Sequence, residues 1–208
     1  MLFKRIVPWL SAALLTFGCA LAQAQAGKAP DVLIKEVSTD VLEAVKADKS
    51  IKQGDVQKVI ALVDAKVMPH VDFQRMTASA VGRYWRQATP EQQKRLQDEF
   101  KILLVRTYSG ALAQVQDQTV ELKPMRSAPT DAEVVVKTEI KGRGDPVQLD
   151  YRLEQTPAGW KIYDVNVLGV WLVENYRNSF SQEISAGGID GLIAKLVARN
   201  KSAGAAKS

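Results

Sequence analysis

The stretch Trp160–Phe180, "WKIYDVNVLGVWLVENYRNSF", decides the fold, because it passes from an apolar period of two to a period near 3.6 with no polar interval between them. Strict alternation places Tyr163, Val165 and Val167 on one face and Trp160, Ile162, Asp164, Asn166 and Leu168 on the other. Both faces of this strand are therefore at least partly covered. Gly169 ends it, and Val170, Leu172, Val173, Tyr176, Phe180 and Ile184 continue at helical spacing. A strand covered on two sides is either sandwiched in an ordinary core or turns one face toward a space for something apolar.

Upstream, the pattern is again strand-like. Val120 and Leu122 make a short strand, Glu133–Ile140 a second and Val147–Gln155 a third. The third alternates cleanly, with Val147, Leu149, Tyr151 and Leu153 on one face and Gln148, Asp150, Arg152 and Glu154 on the other. "KGRGDP" and "TPAGW" supply the turns, so the strands form an antiparallel meander. Before the strands come helices: one over Asp31–Val45, one from Val56 to Val67 closed by Pro69, a shorter one around Phe73–Val81 and a long one after "ATPEQQKRLQDEF". In that last segment Thr89 is the N-cap, Pro90 the first helical residue and Gln92 the third member of a capping box. Gly187-Gly188 breaks the C-terminal helix before a final one carrying Ile189, Leu192, Ile193, Leu196 and Val197. The expected fold class is α+β, an antiparallel meander of about four strands with several helices before and after it.

The first 26 residues have the pattern of a cleavable signal peptide: Lys4 and Arg5, an apolar run from Ile6 to Leu15, and small residues at Ala24 and Ala26. The reading is export to a compartment that permits disulfides, with one domain over 27–200 and an unstructured tail over 201–208. Removing 26 of 208 residues leaves 182, enough for a single substantial core. The one cysteine, Cys19, leaves with the leader, so stability must come from packing and not from disulfides. Loss of Lys4 and Arg5 leaves 26 basic against 23 acidic residues, a balance of +3 that asks for no nucleic-acid partner.

Little in the chain supports catalysis. His70 is the only histidine, so neither a metal site nor a nucleophile with its base can be assembled around it. Gly142 and Gly144 make only a G-x-G between strands, which is no phosphate loop. Arg83, Arg86, Arg106, Arg152 and Arg177 could meet a phosphate but equally suit solvated or core-capping roles. Asp164, a carboxylate within an apolar strand, is the one candidate acid or base; the competing reading makes it a hydrogen-bonded residue that fixes a strand or helix end.

"GRYWRQATPEQQKRLQDEFKILLVRTYSGAL", "LDYRL", "GWKIYDVNVLGVWLVENYRNSF" and "GGIDGLIAKL" together, and in this order, resemble the MlaC or toluene-tolerance family. The resemblance implies a periplasmic, non-enzymatic carrier that binds glycerophospholipid as cargo and needs no cofactor, with a curved antiparallel sheet of about four strands covered by helices and an internal apolar cavity. It implies shuttling between an outer-membrane lipoprotein-porin complex and an inner-membrane ABC transporter, maintaining outer-membrane lipid asymmetry, with the carrier a monomer. The family positions matched are Trp85, Tyr108, Tyr151, Trp160, Asp164, Gly169, Tyr176, Arg177 and Phe180. Trp171 departs from the pattern, which has a small residue there, and puts the local pocket shape in question.

Two acyl chains of about sixteen carbons represent on the order of 25 kcal/mol of water avoidance, more than a surface groove can shield. The expected wall of an internal cleft is Leu103, Leu104, Tyr108, Val134, Val136, Val147, Leu149, Tyr151, Val165, Val167, Leu172, Tyr176 and Phe180. Periodicity alone does not separate such a wall from ordinary core. An enzyme acting on a small hydrophobic substrate through Asp164, and a periplasmic adaptor with no ligand, are the competing functions.

Overall fold

The periodic segments become elements in the order in which they occur, in a computed structural model that describes residues 28–125 and 131–205. The expected leader and the last three residues of the tail lie outside the described residues. The helices are α1 (Pro30–Ala47), α2 (Lys49–Lys52), α3 (Val56–Lys66), α4 (Phe73–Val81), α5 (Pro90–Leu112) and α6 (Leu172–Ala205). The strands are β1 (Thr119–Leu122), β2 (Glu133–Lys141), β3 (Val147–Thr156), β4 (Gly159–Val167) and β5 (Val170–Trp171).

Local chemistry sets the helix starts. Asp55, Asp72 and Thr89 accept from backbone amides in the first turns of α3, α4 and α5. The capping box is complete: Gln92 N donates to Thr89 Oγ1 at 3.2 Å and Thr89 N to Gln92 Oε1 at 3.0 Å. At the other end α6 is bent at Gly188, whose φ of 71° and ψ of −173° interrupt the helix where the glycine pair predicts a break. The helix then continues to Ala205, five residues into the tail expected to be unstructured. Its last turns are tied down by Asn200 Nδ2, which donates to Glu99 O at 3.0 Å and Glu99 Oε2 at 2.7 Å.

The sheet is an antiparallel meander in the order β1-β2-β3-β4-β5. The fifth strand differs from the expectation that helix begins at Val170: Val170 and Trp171 first pair back onto Val167 and Asn166. A second difference is the register of β4. Tyr151 pairs with Val165 and Arg152 with Asp164, but the register slips between Arg152 and Leu153, so that Leu153 pairs with Ile162. This one-residue bulge moves Ile162 to the face of Val165 and Val167, against the strict alternation read from the sequence.

Both sheet edges are covered. On β1, Lys46 Nζ of α1 donates to Gln118 O at 2.8 Å and Lys35 Nζ donates to Val120 O. Beside β4, Asp72 N donates to Ile162 O at 2.8 Å and Val71 makes a parallel bridge to Ile162. Such cover removes the exposed ladder that invites edge pairing.

The apolar interior is divided into three clusters rather than fused into one core. The first joins α4, α5 and α6 around Phe100, Phe180, Leu96, Leu192 and Leu196. The second sets Leu33, Ile34 and Val37 of α1 on Val134, Val136, Leu153 and Ile162. The third packs Leu42 and Val45 with Val59, Val105 and Val120. Single domains ordinarily hold one contiguous core, so the division needs an explanation.

Candidate functional site

Between the three clusters stand apolar side chains that none of them fully buries. Leu103, Leu104 and Tyr108 of α5, Leu149 and Tyr151 of β3, Val165 and Val167 of β4, and Tyr176 of α6 are all half-buried. Val165 touches both the helical cluster and the α1–sheet cluster, so it stands at the boundary between them. These eight of the thirteen expected wall residues share partial burial, and Leu103, Leu104, Val165 and Tyr176 pack against the helical cluster. Val134 and Val136 are instead buried in the α1–sheet cluster, Phe180 in the helical cluster and Leu172 outside both, and Val147 is exposed.

Exposure along the inner face of the sheet changes in one direction. On β3, Leu153 is 0% exposed, Tyr151 and Leu149 are half-buried, and Val147 reaches 38%. On β4, Ile162 at 3% is followed by half-buried Val165 and Val167, and the chain leaves the strand at Leu168, 65% exposed. On β3 and β4 the inner face is thus buried at the end carrying Leu153 and Ile162 and exposed where β3 begins and β4 finishes, whereas beside it Thr138 of β2 and Val120 of β1 stay buried. Ile162 belongs to this face only because of the bulge, which the sequence reading missed; no local residue pattern signals it.

The back of the space is aromatic. Phe100 lies 5.0 Å from Tyr176 and 5.1 Å from Phe180, in edge-on contacts that fix the first half of α6 on α5. Toward α1 the interior holds hydroxyls. Ser38 and Thr138 lie beside the Tyr151 hydroxyl, and Thr138 Oγ1 donates to Leu149 O at 2.9 Å. Burial raises the Tyr151 and Tyr108 phenols above their ordinary value, so both are neutral hydrogen-bonding groups on an otherwise apolar wall. Ser38 and Thr138 were not singled out in the sequence, although Thr138 falls on the inward alternation of β2.

The polar candidates sit elsewhere. Asp164, 1% exposed, pairs with Arg152 on the face away from Val165. Its Oδ1 accepts from Val165 N at 2.9 Å and from Val173 N at 3.1 Å, and Arg152 Nη1 donates to its Oδ2 at 3.1 Å. The carboxylate therefore caps the start of α6 and holds Arg152. Burial raises its pKa, against the lowering effect of the two amides and the guanidinium. The Arg152 guanidinium in turn lies 3.8 Å from the centroid of Trp171. That contact settles where the unusual indole goes: it stacks outward on Arg152 and leaves the inner face alone.

Arg75 makes a second outer clamp, over the Tyr163 ring at 3.7 Å and bonded to Glu133 at 2.6 Å and to Glu154. Of the other arginines, Arg177 Nε donates to Ser79 O at 3.0 Å, Arg83 Nη2 to the Tyr84 hydroxyl at 2.9 Å, and Arg86 is exposed. Arg106 Nε is buried without a hydrogen-bond partner among the described residues. Two surface grooves, of about 580 Å³ on the outer sheet face and about 670 Å³ along α6, share only Val134 with the expected wall. Among the described residues no cluster of His, Cys, Asp and Glu could hold a metal.

Residues 35–198 match the family model described as MlaC protein. The chain belongs to the MlaC family. Among solved structures it is similar to the phospholipid-binding protein from Ralstonia solanacearum in complex with a phospholipid, with 49% identity, a TM-score of 0.81 and coverage of 84% of this chain and 98% of that one. Curated relatives include toluene tolerance protein ttg2D of Pseudomonas putida, 26% identical over 167 residues that span 79% of this chain and 77% of the relative. Another is the intermembrane phospholipid transport system binding protein MlaC of Haemophilus influenzae, 22% identical over 171 residues and 80% of each chain. The α+β meander is thus the fold of an MlaC-family protein.

Proposed function

We propose that this MlaC-family chain is a periplasmic carrier that holds the acyl chains of a glycerophospholipid between its sheet and helices. It shuttles the lipid, as a monomer, between outer and inner membrane and so maintains outer-membrane lipid asymmetry. The observation that carries the reading is the gradient of exposure along β3 and β4. Their apolar side chains pass from buried at Leu153 and Ile162 to exposed at Val147 and Leu168, which supports a space between sheet and helices that opens at that end. The phospholipid bound to the Ralstonia relative supports the same cargo here. The tails would lie against Leu103, Leu104, Leu149, Tyr151, Val165 and Val167, with Val134, Val136, Leu172 and Phe180 as backing. The head group would remain at the open end near Val147.

The lipid is cargo, and a passive binder sets no direction. Direction comes from the relative affinities of the outer-membrane lipoprotein-porin complex and the inner-membrane ABC transporter, or from ATP spent at the latter. An acid-base enzyme is the weaker reading, because both oxygens of Asp164 are engaged in holding α6 and Arg152, on the face away from the space.

Native mass spectrometry of protein purified without detergent tests the proposal. The wild type should carry phospholipid. Val165→Arg places a charge on the wall, and the several-kcal/mol penalty for burying it should lower the lipid recovered per protein by more than about tenfold. Leu149→Arg, nearer the open end, keeps the test informative if the first variant does not fold. Lipid-free wild type that takes up nothing from vesicles would defeat the proposal, and folded Arg variants that load normally would defeat the wall assignment.

A further inference from the structure

Of the chain's five tyrosines, three have company for the hydroxyl. Tyr163 donates to Glu133 Oε2 at 3.0 Å, Tyr84 accepts from Arg83 Nη2 at 2.9 Å, and Tyr151 lies beside Ser38 and Thr138. Among the described residues no hydrogen bond reaches the hydroxyl of Tyr108 on α5 or of Tyr176 on α6. Neither hydroxyl is sealed inside the protein, since the sealed side-chain atoms without a partner are Arg106 Nε and Asn200 Oδ1. Nor does Tyr108 stand in open water: burial raises its phenol above the ordinary value, and the neighbouring Tyr176 phenol pushes it the same way. A phenol in such a place ordinarily finds an acceptor, and here two neighbouring ones lack it.

Their position indicates what the acceptor is. The Tyr176 ring is held edge-on to Phe100 at 5.0 Å and lies 5.5 Å from Phe180, whereas Tyr108, like Leu149 and Val167, is half-buried yet packs on none of the three clusters. Both stand toward the exposed end of β3 and β4. Val105, one turn before Tyr108, shares a cluster with Val120, whose row continues through Ile140 to Val147. Tyr176 is one turn into α6, which follows β5 directly, and β5 pairs with Asn166 and Val167 at the end of β4. No lysine or arginine acts on the Tyr108 phenol, so the pair offers neutral donors without a positive charge. A phosphate calls for a cation, but an ester carbonyl is a neutral acceptor that costs free energy when it leaves water unbonded. In a diacyl glycerophospholipid the ester carbonyls lie where the tails begin, between a head group kept in water and chains that avoid it.

We propose that Tyr108 and Tyr176 are the specificity-determining pair of the lipid site: their hydroxyls donate to the ester carbonyls of the bound phospholipid, so that the carrier takes diacyl esters in preference to lipids whose chains are joined through ethers. The same bonds fix how far the tails enter. The inference rests on the carrier reading above and adds the lipid class to it.

The test equilibrates purified carrier with vesicles of equimolar dioleoyl-phosphatidylethanolamine and its dioleyl-ether analogue, recovers the protein and measures its extracted lipid by mass spectrometry. The wild type should hold the diester in about tenfold excess, the discrimination expected of two hydrogen bonds between neutral groups. Tyr108→Phe and Tyr176→Phe keep the rings, and each should lower the excess to about threefold, as one bond remains. The double variant should hold both lipids equally, at unchanged total lipid per protein. Tyr84→Phe, whose hydroxyl is engaged by Arg83, should retain the wild-type excess. Equal loading of both lipids by the wild type would overturn the proposal and point instead to the phosphate, which the two lipids share. An undiminished excess in the folded double variant would overturn it as well, and so would a folded double variant that loads neither lipid, because the phenols would then serve loading and not choice. If the double variant does not fold, the two single variants decide by the same ratio. Failure of the carrier reading is distinguishable, since the wild type would then take up neither lipid.

Discussion

At the scale of single residues, Asp164 shows how a carboxylate inside an apolar strand can be structural. Asparagine keeps an acceptor for Val173 N, so Asp164→Asn should lie within about 1 kcal/mol of wild type at neutral pH. Asp164→Ala removes that acceptor and should lower stability by about 2 kcal/mol, seen as a drop of roughly 4–8 °C in Tm. Because burial raises the folded-state pKa above the ordinary 3.8, Asp164 contributes stability that is fully present below 3.8 and is lost as pH rises through the folded value. The wild type should therefore gain on the Asn variant as pH is lowered, with lipid content equal in both. Loss of lipid from a folded Asn variant would return Asp164 to the functional site. The sequence left Asp164 between acid-base and structural roles, and only its partners, two backbone amides and Arg152, decide between them.

At the scale of elements, β3 and β4 differ instructively. The alternation of β3 is realised as written, with Leu153 inward, whereas strict alternation misplaces Ile162 on β4. A bulge is a property of a pair of strands, so a single strand's pattern does not reveal it. The break in α6 was legible because glycine carries it: at φ 71° and ψ −173° a side chain is strained whatever space surrounds it. Gly188→Ala should cost at least about 1 kcal/mol, lowering Tm by roughly 2–4 °C in calorimetry. An unchanged Tm would mean that the two halves of α6 can realign freely, which their shared packing around Leu192, Ile193 and Phe180 argues against.

At the scale of the whole molecule, the lipid space proposed among the three clusters would pose a stability problem. An empty cavity of roughly 1,000 Å³ would cost about 24 kcal/mol if nothing collapsed, beyond the about 5–15 kcal/mol by which domains are stable. The lipid-free form must therefore narrow, or lipid must remain bound as part of the fold. Delipidated protein should melt below the lipid-bound form. Phospholipid at about 100 times its dissociation constant should restore about 2.7 kcal/mol, an increase of roughly 5–11 °C in Tm by scanning calorimetry. If returning lipid leaves Tm unmoved, the interior does not hold it.

Helix and strand order, the capping box at Thr89, the turn glycines and the α+β class were determined by the sequence itself, because caps, turns and periodicity are local consequences of residue type. The ordered motifs from Gly82 to Leu196 also carried the family. Tertiary structure alone decided which apolar residues are fully buried and which stay partly exposed: Phe180 and Val136 are buried while Tyr176 and Val165, equally apolar in pattern, are only half-buried. It likewise turned Trp171 outward onto Arg152 and left Leu168 bare at the open end. Periodicity records which side of an element avoids water, but what fills the space on that side depends on the distance to the next element, which no stretch of one chain segment encodes.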